Sequence, residues 1–184
     1  MRNLRMGEII KNMTEGNFLP QNGFIYSTPE NFDDLLLTSD GEVLTGLHFV
    51  RQYKKDFEQK TLPIFKKVCR WLDVYFSGRE PDFTPEFRIE NATLFRREVL
   101  EILLTIPFGK TMTYGEIAAQ IAKKHGVEKM SAQAVGGAVG WNPIGIIIPC
   151  HRVLGSGKSL TGYSGGIKNK IGLLKVEGIE FLKE

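Results

Sequence analysis

Strand-type apolar runs fill residues 24–50 and helix-type spacing takes over after residue 60; this order, strands first and helices after, points to an α+β fold. Phe24-Ile25-Tyr26 and Leu35-Leu36-Leu37 read as strands, and Asp40-Gly41 as a hairpin turn into a third strand, Val43–Val50, carrying Leu44, Leu47 and Phe49. Together they predict a small antiparallel sheet. Thr61 and Pro63 open a helix in which Ile64, Val68, Trp71, Leu72 and Tyr75 recur at helical spacing, and Ser77-Gly78 closes it. Cys69 lies within that helix with nothing near it in sequence to activate a thiol, so it reads as a small buried hydrophobe. A loop over Arg79–Pro85 and an extended piece, Phe87-Arg88-Ile89, lead to a helix over Thr93–Leu104, with a domain boundary expected near residue 90. Residues 1–22 are polar, broken by Gly16 and Pro20 and without sustained periodicity, and read as a loosely held extension.

Pro107 and Gly109 break the chain, and Thr113 followed by Glu116 forms a capping box for a helix carrying Tyr114, Ile117, Ala118 and Ile121 that ends at Gly126. Ser131 caps a further helix over Ala132–Gly140, so residues 113–140 follow the helix-turn-helix plan. The second helix contains Gly136, Gly137 and Gly140, each costing about 1 kcal/mol against Ala. Tight helix packing and close approach of a ligand or a nucleic-acid groove explain them equally well. Its only large polar residue is Gln133, unlike a major-groove recognition helix. Charge is divided unevenly: residues 1–106 hold 14 Lys/Arg against 16 Asp/Glu, a net −2, whereas residues 107–184 hold 10 against 5, a net +5. A basic C-terminal part hints at an anionic partner, although such a bias is also an ordinary solvated surface.

A length of 184 residues allows one domain or two small ones, and 42% apolar content excludes disorder of the whole chain. No apolar run approaches the roughly 18 residues of a membrane span, and Arg2, Arg5, Glu8 and Lys11 interrupt the place of a secretory core, so a soluble cytoplasmic protein is expected. Cys69 and Cys150 form no disulfide framework, and His48, His125 and His151 are not at metal-ligand spacing, so neither a metal nor a cofactor is expected. The residues that carry chemistry follow Asn142-Pro143. Ile146-Ile147-Ile148 reads as a short buried strand that delivers Pro149-Cys150-His151-Arg152-Val153 at its end. Adjacent His151 and Arg152 supply positive charge that favours the thiolate, the nucleophilic form. Neighbours on a strand point to opposite faces, so a bridging water is the expected proton relay between Cys150 and His151. A reactive cysteine is favoured here over an inert buried one.

The string IPCHRV at Ile148–Val153 resembles the active-site signature of the O6-alkylguanine-DNA alkyltransferases. Upstream, IPFGKTMTYGEIA (Ile106–Ala118) and AVGGAVGWNP (Ala134–Pro143) resemble that family's helix-turn-helix; downstream, GYSGG (Gly162–Gly166) and LLKVEG (Leu173–Gly178) resemble its closing loop and last helix. The match spans about residues 93–184, and the N-terminal half matches in outline only. The resemblance implies a ribonuclease-H-like α/β domain over residues 23–90 and a winged helix-turn-helix-like domain over 91–184. It implies a monomer that binds alkylated double-stranded DNA through the minor groove, flips out an O6-alkylguanine and moves the alkyl group irreversibly to its own cysteine. O4-alkylthymine is a further possible substrate of such a protein.

Carried over residue by residue, the resemblance makes Cys150 the acceptor, His151 the water-mediated base and Glu177 the carboxylate that orients the imidazole. Tyr114 becomes the phenol that donates to the guanine ring, and Asn142 the tie between the helix-turn-helix and the active-site strand. Ser164 would contact O6 through its N–H, the Cys150 and Val153 carbonyls would read the exocyclic amine, and Tyr163, Gly165 and Gly166 would shape the loop over the base. DNA contacts fall to Thr113, Ser131, Gln133, Ala134, Gly136 and Arg152. Read from the residues alone, Tyr114 is equally a core aromatic, Asn142 a turn residue and Glu177 a surface carboxylate at a helix C-terminus.

Two departures stand out. Gln133 occupies the place of the family's duplex-inserting arginine, which implies weaker or slower repair of duplex DNA. Trp141 stands where a small residue is usual; lining the alkyl pocket, stacking on DNA and packing in the core are the three readings, with packing favoured. The zinc-binding N-terminal cysteines and histidines of some members are missing. A lesion-binding protein without chemistry would keep the arginine and lose the cysteine, the reverse of this chain, and a cysteine hydrolase would need an oxyanion hole that nothing in the sequence identifies.

Overall fold

Short apolar runs fold the first described residues into three antiparallel strands, β1 (Gly23–Tyr26), β2 (Asp34–Ser39) and β3 (Leu44–Val50), in the order β1-β2-β3. The computed structural model describes residues 22–51 and 60–182, so the reading of residues 1–22 as an extension lies, except for Asn22, outside the described residues. The β2–β3 turn follows from Asp40: its carboxylate accepts the N–H groups of Glu42 and Val43, each at 2.9 Å, while Gly41 takes φ +113°. Leu35, Leu36 and Leu37 are all buried because both faces of β2 are covered, Leu35 and Leu37 by the main core and Leu36 by Ile25 and Val50.

Helix α1 (Pro63–Phe76) buries Ile64, Phe65, Val68, Trp71, Leu72 and Tyr75 as one stripe. Its N-cap is Leu62, not Thr61, and Pro63 sits in the first turn, where a missing N–H costs nothing. Phe87 forms a single parallel bridge to Leu44, so the expected extended piece is one bridge long. Helix α2 (Leu94–Leu104) is capped by the Thr93 hydroxyl. Strand β4 (Met112–Thr113) leads into α3 (Tyr114–His125), where the Thr113–Glu116 capping box forms and Gly126 ends the helix in the left-handed conformation. Helix α4 (Ala132–Gly140) is capped by Ser131. Strand β5 (Val153–Leu154) pairs in parallel with β4, and α5 (Ile167–Val176) closes the described chain. The fold is mixed α and β. Among the described residues no helix is long and apolar enough to cross a membrane.

Residues 144–148 differ from expectation. Apart from a bridge from Ile144 to Leu47 they form turns, with Ile146 at φ +66°, so no strand covers 146–148. The three isoleucines are buried as read, but a run of three buried apolar residues has no period that separates a strand from a packed turn. This segment docks on β3: the Leu47 N–H donates to the Pro143 carbonyl and the Gly145 N–H to the Leu47 carbonyl, both at 2.9 Å. A Cβ on Gly145 would lie 2.9 Å from that same carbonyl oxygen, so only glycine allows the approach. A second tie runs through Asn169, whose side chain donates to Asp33 at 2.8 Å and to the Gly165 carbonyl at 2.7 Å and accepts the Asp33 N–H at 3.0 Å. The two halves of the chain are thereby locked on either side of Cys150.

Candidate active site

Cys150 opens a turn of 3-10 helix, Cys150–Arg152, and is 3% exposed. The Asn142 amide donates to its Sγ at 3.0 Å and to the Ile148 carbonyl at 2.8 Å, while the Asn142 oxygen accepts the Ile144 N–H at 3.0 Å. One buried asparagine thus fixes the end of α4, the docking turn and the thiol together. The Tyr163 hydroxyl also bonds the thiol. Burial pushes the Cys150 thiol up, and the bonds from Asn142 and Tyr163 and the charge of Lys170 offset it only in part. The expectation that adjacent His151 and Arg152 favour a resting thiolate is therefore corrected: Arg152 is aimed elsewhere, and the group at rest is a thiol.

His151 is fully buried, and its Nε2 lies 2.6 Å from Glu177 Oε1. The surface reading of Glu177 gives way to a carboxylate 6% exposed. It accepts Arg152 Nε at 2.9 Å, Arg152 Nη2 at 3.1 Å, the Gly109 N–H at 3.1 Å and the Tyr75 hydroxyl at 2.8 Å. Burial by itself raises this carboxyl, but the bonds and charges of His151 and Arg152 overcome it and hold it at about 2. A proton therefore sits on His151 Nε2, shared with an ionised carboxylate, and Nδ1 is an acceptor. Nδ1 is buried and without a partner among the described residues. Arg152, expected at the DNA, turns its fork inward onto Glu177 and donates Nη1 to the Ile106 carbonyl at 2.5 Å. With 11% of its side chain exposed, it serves the carboxylate.

The Cys150 cavity, about 350 Å³, opens between β3, α4 and the loop after Gly162, with Leu47, Phe49, Trp141, Ile146, Tyr163 and Ser164 on its walls. His48 faces it too, pushed down to about 4 by burial and so a neutral imidazole. Trp141 is half-buried, packed against the core and also lining the cavity, with the Arg96 guanidinium 4.5 Å above its ring. Gly137 and Gly140 also line the cavity, and a Cβ on either would meet nothing within 4 Å, so tight packing does not explain them. Gly136, expected at the DNA, faces inward, its would-be Cβ 3.8 Å from the Tyr114 ring.

Tyr114 accepts the Thr161 hydroxyl at 3.2 Å, leaving its own proton free to donate. The Val153 carbonyl, expected to read a base, already accepts the Lys170 ammonium at 2.7 Å and keeps its second lone pair for a ligand. Lys170 is fully buried and lowered to about 8 by that burial. Gln133 and Ala134 lie exposed with Gly137 and Gly140 on one uncharged face of α4, and Ser131 lies exposed at its start. Thr113 is half-buried at the start of α3, its hydroxyl accepting the Glu116 N–H at 3.1 Å. Tyr75, Thr161 and Lys170 escaped the sequence reading: each is a polar tip on a residue whose position reads as core, loop or surface.

The family model described as the DNA binding domain of 6-O-methylguanine DNA methyltransferase matches residues 94–179. The methylated-DNA–protein-cysteine methyltransferase of Haemophilus influenzae is 40% identical over 158 residues, covering 84% of this chain and 86% of its own. That of Methanosarcina acetivorans is 39% identical over 148 residues, 78% of this chain and 91% of its own. Mycobacterium tuberculosis OGT, in a crystal structure with DNA, superposes with a TM-score of 0.69 at 39% identity over 83% of this chain and 90% of that one. With about 40% identity to these relatives over most of its length and the fold of the Mycobacterium tuberculosis protein, the chain belongs to the methylated-DNA–protein-cysteine methyltransferase family.

Proposed function

We propose that the protein repairs DNA by direct reversal: it takes an O6-alkylated guanine out of the duplex and transfers the alkyl group once, irreversibly, to Cys150. The Cys150 sulfur attacks the alkyl carbon, the carbon–O6 bond breaks, and guanine leaves as an anion whose charge is offset by the hydrogen bond that the Tyr114 hydroxyl donates, and which then takes a proton from water. The thiol proton passes through a water to His151 Nδ1, and the imidazolium so formed is held by Glu177. This is why a thiol raised by burial suffices: it ionises only as the proton moves to a base already paired with a carboxylate near pKa 2. The observation that carries the reading is the orphaned, buried Nδ1 of His151, whose other nitrogen is locked on Glu177, on the residue next in the chain to a thiol that opens on the cavity.

The uncharged outer face of α4, with Gln133 and Ala134 in its first turn and Ser131 at its cap, suits a minor groove, where small side chains permit close approach. Residues 23–90 serve as the ribonuclease-H-like unit and 91–184 as the winged helix-turn-helix unit of that machine. The test uses a duplex with one O6-methylguanine carrying a labelled methyl group. The label is expected to move to protein, one per chain and no more, with unmodified guanine left in the DNA. Repeated turnover, or label remaining on the DNA, would overturn the reading.

A further inference from the structure

Tyr75 stands on α1, in the first half of the chain, yet it is fully buried against the His-Glu pair of the second half. Its hydroxyl donates to Glu177 Oε1 at 2.8 Å and lies 3.2 Å from His151 Nε2, closing a triangle whose third side is the 2.6 Å His151–Glu177 contact. The direction of each bond is settled by chemistry. An ionised carboxylate only accepts, so the phenol proton points to Glu177, and the phenol oxygen is left to accept the same Nε2 proton that the carboxylate shares. The ring is held from its other sides by Trp71, stacked at 5.4 Å, and by Phe108, edge-on at 6.0 Å.

We propose that Tyr75 is a positioning residue for the alkyl transfer: by donating to Glu177 it sets how strongly the carboxylate draws on His151, and so how basic Nδ1 is toward the Cys150 proton. The inference rests on the reading of His151 as the proton acceptor. Around the imidazole stand Tyr75 from α1, Glu177 at the end of α5, Lys170 within α5, and Cys150 and Arg152 on either side in the chain. Burial lowers His151, the Glu177 bond and charge raise it, and Arg152 and Lys170 lower it, so the imidazole is poised by opposing neighbours. The bond at 2.8 Å to an anion outweighs the longer one at 3.2 Å. Removing the phenol hydroxyl thus leaves a carboxylate with more of its charge turned to His151, and a more basic imidazole.

The experiment compares wild type, Tyr75→Phe and Trp71→Phe. The 15N shifts of the His151 ring are followed against pH in the resting protein, and single-turnover transfer from an O6-methylguanine duplex is followed over the same range. Tyr75→Phe is expected to raise the His151 titration midpoint by about half to one pH unit and to move the pH–rate curve with it. Trp71→Phe, which removes the stacked neighbour and none of the hydrogen bonds, is expected to lower thermal stability and leave both midpoints where they are. A Tyr75→Phe midpoint equal to wild type would overturn the proposal and leave Tyr75 a packing residue. If Tyr75→Phe does not fold, p-aminophenylalanine at position 75 restores a donor and is expected to keep the wild-type midpoint; a shift there would overturn it equally. The ring titration needs no alkyl donor, so a protein that fails to take up methyl refutes the repair reading without moving this result.

Discussion

Replacing Glu177 by glutamine separates charge from shape at the centre of the site. The carboxyl stands at 4.5 when free and at about 2 in the fold. At about 1.4 kcal/mol per unit, the hydrogen bonds and charge around it contribute about 3 kcal/mol to folding at neutral pH. A carboxyl lowered by folding stabilises at every pH above its unfolded value and loses that contribution as pH falls toward its folded value, here between 4.5 and about 2. By pH 3.5, linkage removes about 1 kcal/mol of it. Glutamine keeps the outline and one acceptor for Arg152 but leaves that buried guanidinium without a counter-charge. Urea unfolding of both proteins at pH 7 and pH 3.5 is expected to show a gap of about 3 kcal/mol that narrows by about 1 kcal/mol at the lower pH. A gap of the same size at both pH values would refute the electrostatic reasoning, because an uncharged difference in packing does not titrate.

Three further outcomes follow from the geometry. Gln133→Arg is expected to speed transfer from duplex O6-methylguanine about tenfold while leaving transfer from the free modified base unchanged, since only the duplex has a gap to fill; equal rates on duplex would refute this. Asn142→Ala orphans the buried Ile144 N–H and Ile148 carbonyl, costing about 2 kcal/mol or more in thermal unfolding, and it frees the thiol of its donor, so single-turnover transfer slows at least tenfold. Gly145→Ala drives a methyl into the Leu47 carbonyl at 2.9 Å. It is expected to cost about 1–3 kcal/mol of stability, whereas Gly137→Ala, with nothing within 4 Å, costs no packing energy.

Local signals were legible because their chemistry is local. The Asp40-Gly41 turn, the Thr113–Glu116 capping box, the Ser131 cap and the Gly126 terminus each close hydrogen bonds over two to five residues, so sequence alone specifies them. The Cys150, His151 and Glu177 set was found through an ordered resemblance; the structure pairs His151 with Glu177 and buries all three residues. What sequence did not show depends on distant partners. Arg152 looks like a phosphate ligand until Glu177, 25 positions away, claims its fork. Lys170 looks like a surface residue of α5 until the Val153 carbonyl is placed beside it. Tyr75 fits the apolar stripe of α1 so well that its hydroxyl is invisible to periodicity, and the turns at 144–148 carry the same isoleucines a strand would.

The most direct measurement is intact-protein mass spectrometry, followed by peptide mapping, after mixing the protein with a duplex that holds one O6-methylguanine. Wild type and Cys69→Ser are expected to gain one methyl group, located on Cys150, and Cys150→Ser none. A methyl group on Cys69, or no gain by wild type despite binding of the duplex, would contradict the assignment of Cys150 as the alkyl acceptor.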